Sequence, residues 1–116
     1  MQERVSDCPI EGAMVLLSGR WRALILYYLD QGSMRFNELK RANEGISHQM
    51  LTHELRALEA AGVVSRMAYA EVPPRVEYQL TEAGRRLMPI IGQLAEWWES
   101  STEPRSDPGP RDGRET

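Results

Sequence analysis

Between Ser47 and Leu58 the chain combines hydrogen-bonding side chains with a regular apolar repeat. Ser47, His48, Gln49, Thr52, His53 and Arg56 are interleaved with Leu51, Leu55 and Leu58 at i, i+4, i+7. That spacing predicts a helix with the leucines on one face and the polar residues on the rest. Gln and Arg form paired hydrogen bonds to the exposed edges of adenine and guanine, so such a face suits the reading of a major groove. The alternative at this point is an ordinary solvated helix face, which carries the same residue types. In the reading picture His48, Gln49, Thr52, His53 and Arg56 contact base edges, and the combination His48-Gln49 followed by His53-Glu54 sets operator preference; alternatively Glu54 simply repels phosphate.

Other reactive residue types point less far. His48 and His53 lie five apart on the helix and diverge by about 140°, without a Cys or acidic cluster nearby to complete a metal shell. No metal and no cofactor are expected. The single cysteine, Cys8, excludes an internal disulfide and points to a reducing, cytoplasmic setting. No phosphate loop, HExxH, CxxC or GxSxG motif occurs, which argues against an enzyme. A thiol peroxidase acting through Cys8 is the single catalytic version that remains. Met14, Met50, Met67 and Met88 read as apolar filler, though a soft cavity between helices would admit an aromatic effector.

The elements that must position these residues follow from punctuation and period. Pro9 suits the first position of a helix, with Cys8 as its cap, running to the break at Ser18-Gly19. A second, nearly all-apolar helix spans about Arg20 to Leu29. A short helix, Arg35 to Ala42, buries Phe36 and Leu39 and leaves Asn37, Lys40 and Arg41 outside to hold a phosphate backbone. Gly45 interrupts, Ser47 caps the fourth helix, and Gly62 stops it. Val63 to Tyr69 then alternates as a strand, and Val76, Tyr78 and Leu80 as a second, joined by a hairpin loop over 70–74. Thr81 caps a terminal helix whose apolar stripe is Leu87, Ile90, Ile91, Leu94, Trp97 and Trp98, with Pro89 expected to kink or split it.

Two helices joined by a tight Gly-containing turn and followed by a hairpin outline a winged helix-turn-helix. The fold class is therefore α+β, mostly helical, with a two-stranded wing. Arg75, behind Pro73-Pro74, and Arg66 on the facing strand are placed to meet phosphates or a minor groove. Alternatively they pair with Glu71 or Glu77 across the ribbon.

Composition bounds the rest. The 116 residues make one domain, and the net charge is -3. That charge is unevenly spread: residues 1–17 carry -2, residues 96–116 carry -3 and residues 18–88 carry +2. The basic middle permits a phosphate-binding face. The longest apolar run, Ala23 to Leu29, is far short of the about 20 residues a membrane span needs, and the start has no signal-peptide core. Residues 1–7 read as a flexible arm and 8–100 as the folded domain. Residues 101–116, without a hydrophobic side chain, read as a disordered tail.

Taken together, Cys8-Pro9, Gly19-Arg20-Trp21, Arg35-Phe36-Asn37-Glu38-Leu39, Gly45-Ile46-Ser47, Met50-Leu51-Thr52 and Leu55-Arg56-Ala57-Leu58-Glu59 form an ordered series. Gly62-Val63-Val64, Val72-Pro73-Pro74-Arg75-Val76-Glu77-Tyr78 and Leu80-Thr81-Glu82-Ala83-Gly84 continue it. This series resembles the HxlR-type winged helix-turn-helix transcriptional regulators of the MarR-like superfamily, over about residues 8–98. The resemblance implies a bacterial, cytoplasmic homodimer on a palindromic double-stranded operator, with the first and last helices as its interface. Met14, Leu17, Ile90, Ile91, Leu94, Trp97 and Trp98 are the interface residues this suggests, and the terminal stripe is more apolar than so small a domain readily hides. The resemblance also implies that Cys8 senses oxidants or a small electrophile. Asp7 and Glu11 beside it oppose the ionisation that a helix N-terminus favours. A winged helix that serves as a protein-interaction module, without DNA reading, is the competing function class.

Overall fold

Pro9 opens helix α1 (Pro9–Leu16) because its fixed φ suits a first helical position, where no N–H is needed. This is a computed structural model, and it describes residues 7–101. Most of the expected arm and tail lies outside the described residues. Cys8 occupies the cap position with an extended backbone (φ -76°, ψ 119°), but its side chain makes no capping hydrogen bond to α1. It is the Cys8 carbonyl that accepts from the Gly12 N–H, at 3.1 Å.

Helix α2 (Arg22–Leu29) begins two residues later than its apolar content suggested, and Ile25, Leu26 and Leu29 are buried. A two-residue strand, β1 (Met34–Arg35), leads into α3 (Phe36–Ala42). Arg35 is thus the cap of α3 and not its first residue: its N–H donates to Glu38 Oε1 at 2.8 Å. The turn that follows rests on Asn43, which is buried. Its Nδ2 donates to the Leu39 carbonyl at 2.9 Å, and its own carbonyl accepts from Ile46 N at 3.0 Å. Gly45 stands at φ +95°, a conformation that side chains with a Cβ rarely adopt.

Helix α4 (His48–Ala60) starts at Ser47, whose Oγ accepts from Met50 N at 3.0 Å. Strands β2 (Val64–Tyr69) and β3 (Arg75–Leu80) form the antiparallel hairpin, with Val64 opposite Leu80 and Tyr69 opposite Arg75. β1 adds to the far side of β3, Met34 opposite Tyr78, so the sheet has three strands in the order β1-β3-β2. The two-stranded wing expected from the sequence is the outer part of that sheet. Two residues are too few to show the alternation by which a strand is recognised.

Helix α5 (Glu82–Ser100) continues through Pro89 and is not split in two there. Thr81 locks its start twice: Oγ1 accepts from Gly84 N at 3.1 Å and donates to the Gly62 carbonyl at 2.6 Å. The core consists of Ile25, Leu26, Leu39, Leu51, Leu55 and Leu58, all at most 1% exposed, closed by Val63 before β2 and by Val64, Tyr78 and Leu80 from the sheet. Met88 packs against it from α5, whereas Met14 and Met50 are exposed and do not act as filler.

Candidate nucleic-acid interface

The back of α4 is Leu51, Glu54, Leu55 and Leu58, all buried. Rotated away from them around the helix axis, His48, Gln49, Thr52, His53 and Arg56 line a single shallow groove of about 310 Å³ on the outer side. These are the five side chains whose types suit base edges, and the helical period alone brings them together. A second cleft, about 540 Å³, runs along the other flank of α4 towards the sheet. His48, Thr52 and Arg56 line it too, with Phe36, Leu55, Glu59, Arg66 and Tyr78. His48 is braced there by Phe36, ring centroids 4.6 Å apart, which limits the orientations open to the imidazole. Neither cleft is lined by a methionine.

Glu54 does not belong to this face. It is 9% exposed, and its Oε1 accepts from Arg22 Nε at 2.6 Å. A carboxylate this secluded must be paired, and α4 turns it inward, toward α2. The expectation that the His53-Glu54 pair helps to set base preference is therefore corrected for Glu54. His53 stays exposed, its Nε2 3.9 Å from Glu54 Oε2. Sequence reasoning missed Arg22 as an anchor because its partner is 32 residues away, beyond any local period.

The candidates for backbone contact surround the groove unevenly. Asn37 and Arg41 are exposed on α3, and Lys40 is half-buried. Ser47 already uses its Oγ as an acceptor at the α4 cap, which leaves the hydroxyl proton for a phosphate oxygen. Arg66 is exposed on β2 and reaches the second cleft.

Arg75 stands differently. Its Nε and Nη2 donate to the two oxygens of Glu71 at 3.2 and 2.7 Å, and Nη1 donates to Glu77 Oε2 at 2.6 Å. The guanidinium also lies over the Tyr69 ring, 3.8 Å from its centroid. Glu77 Oε1 accepts a further bond from Ser33 Oγ at 3.1 Å. Of the two arrangements open to Arg75 on sequence grounds, the structure has the pairing within the ribbon. Hydrogen bonds from Arg75 hold the Glu71 and Glu77 carboxyls below the usual carboxylate range. The same bonds raise the guanidinium above its ordinary value.

The suggested interface residues divide in two. Leu17 and Ile91 pack partly against the protomer's own core, while Met14, Ile90, Leu94, Trp97 and Trp98 are exposed. Leu87 also packs partly against the core, so the apolar stripe of α5 is only partly covered by the protomer itself and leaves Ile90, Leu94, Trp97 and Trp98 exposed. Among the described residues, no helix is long and apolar enough to cross a membrane, and no group of three or more His, Cys, Asp or Glu side chains could hold a metal ion.

A family model described as HxlR-like helix-turn-helix matches residues 16–106. The chain is 46% identical over 96 residues to the HTH-type transcriptional regulator YybR of Bacillus subtilis (strain 168), covering 83% of this chain and 77% of YybR. In three dimensions it is similar to the reduced form of the transcriptional regulator YodB from B. subtilis, with TM-score 0.79 and 35% identity over 87% of this chain and all of that one. It is likewise similar to the redox regulator HypR in its reduced form, with TM-score 0.76 and 46% identity over 81% of this chain and 93% of HypR.

Proposed function

The chain belongs to the HxlR-like helix-turn-helix family, and on that premise we propose that it is a cytoplasmic transcriptional regulator that reads a palindromic double-stranded operator as a homodimer. The observation that carries this reading is the outward convergence of His48, Gln49, Thr52, His53 and Arg56 on one groove of α4. In this reading α4 enters the major groove, and those five side chains meet base edges. Ser47, Asn37, Lys40, Arg41 and Arg66 hold the phosphates on either side, and Arg75 does so after exchanging its carboxylate partners for phosphate. The positive end of the α4 dipole favours a phosphate beside Ser47.

Selection of bound duplexes from random DNA tests the reading directly. It should return a two-fold symmetric site, bound more weakly as salt rises. Arg56→Ala should cost about 1–3 kcal/mol there and relax preference at one position of each half-site. Recovery of no sequence above background would refute it.

Cys8 supports a redox extension of the same function. It is exposed at the head of α1, and HypR is named a redox regulator. In this extension two Cys8 thiols, one from each subunit, join as a disulfide and pass two electrons and two protons to an oxidant such as diamide, which becomes the corresponding hydrazine. A small electrophile acts instead by alkylating the thiolate. Operator affinity should change on diamide treatment in the wild-type chain and not in Cys8→Ser. Peroxide turnover with a thiol reductant would instead favour a thiol peroxidase.

A further inference from the structure

Arg22, at the first turn of α2, touches two other helices. Its Nη1 donates to the Val15 carbonyl in the last turn of α1 at 3.2 Å, and its Nε donates to Glu54 Oε1 in the middle of α4 at 2.6 Å. Both side chains are largely withdrawn from water, at 17% and 11% exposure. On the far side of the carboxylate, Oε2 lies 3.9 Å from His53 Nε2, in the groove that α4 presents. One guanidinium therefore spans α1, α2 and the back of α4, and the carboxylate it holds adjoins the outward face.

The leucine contacts behind α4 resist separation, but apolar burial is non-directional and constrains sliding or rotation weakly. A short charge-assisted hydrogen bond is sensitive to both distance and angle. We infer that Arg22 is a positioning residue for base reading. By joining the end of α1 to Glu54, it sets the rotation and height of α4, and it transmits any displacement of α1 to His53 and Arg56. The inference rests on the DNA-reading function above.

The test uses the full chain with Arg22→Gln, Glu54→Gln and both together. Each is assayed on a duplex recovered by selection with the wild type, over a series of salt concentrations, and by amide hydrogen exchange. Each single variant should bind about tenfold more weakly, a typical coupling for contacting residues, with the salt slope unchanged. The double variant, which leaves no orphaned charge and so keeps its fold, should lose no more than the worse single. Exchange protection in Arg22→Gln should fall at Val15–Ser18 and along α4 together, relative to β2 and β3.

Wild-type affinity in both single variants, or losses that simply add, would overturn the inference. So would a salt slope shallower by about one in Arg22→Gln, since that marks a direct phosphate contact. If the wild type retards no duplex at all, it is the DNA reading that fails. Exchange then decides the link alone, and a loss confined to α1 overturns it.

Discussion

Arg75 shows how a residue of the right type at the right place can already be committed elsewhere. Its two carboxylate partners are held below their ordinary value of 4.5. A carboxyl with a lowered folded pKa adds stability above its unfolded value and loses it as pH falls through the folded one. The clamp on the wing is therefore complete at neutral pH and opens only in acid, below the usual carboxylate range. Carboxyl resonances of Glu71 and Glu77, followed by NMR against pH, should titrate at lower pH in the wild type than in Arg75→Ala. Equal titration in the two would mean that the clamp does not persist in solution. Because phosphate must replace these partners, Arg75→Ala should weaken DNA binding less than Arg56→Ala does. The outward polar face of α4 was legible because helical period and residue type decide it together; the occupancy of Arg75 was not, since Glu71 and Glu77 were equally open partners in sequence. Glu54 failed for the related reason that its neighbour in space, Arg22, is remote in the chain.

At the scale of elements, the contact between α5 and the base of the wing is closer than any side chain would allow. Gly84, in the first turn of α5, lies against the Val63 carbonyl, and a Cβ built on it would fall inside the contact distance of that oxygen. The same carbonyl accepts from Thr81 N at 3.0 Å, so it cannot withdraw without breaking the bond that ties the start of β2 to the junction of β3 and α5. Gly84→Ala, ordinarily helpful inside a helix, should here destabilise by about 1–3 kcal/mol, measured by urea unfolding. An unchanged or raised midpoint would show that the two elements separate freely. Thr81 as a cap and the alternation of the two wing strands were visible in the sequence because they are local signals. β1 was not, since two residues become a strand only by pairing with β3. Pro89 does not split α5, for the converse reason: it removes one donor and one helical bond, and Leu87, Met88 and Ile91, packed on the core to either side of it, hold the helix across the gap.

For the whole molecule the governing question is what covers the outer stripe of α5. Trp97 and Trp98 are 61% and 54% exposed, with their ring centroids 6.5 Å apart, and Ile90 and Leu94 are exposed on the same helix with Met14 on α1. Large apolar side chains at this density mark an interface on a small domain. In the reading proposed above, a second copy is the occupant, and it also gives α4 its use. Two α4 helices related by a two-fold axis meet successive major grooves when they sit about 34 Å apart, and a single α4 reads too few base pairs to select a site. Both tryptophans have the character of interface hot spots, for which truncation costs about 2 kcal/mol or more. Trp97→Ala, which removes the side chain from both protomers, should therefore weaken dimerisation by at least about thirtyfold, with the fold retained because the side chain lies outside the core. Sedimentation equilibrium measures the first effect and circular dichroism the second. Operator affinity should fall with the dimer population and recover as protein concentration rises, which loss of a direct DNA contact would not permit. If Trp97→Ala and wild type both sediment as monomers and bind the same duplex equally well, the stripe serves some other partner and the paired-helix account of operator reading fails.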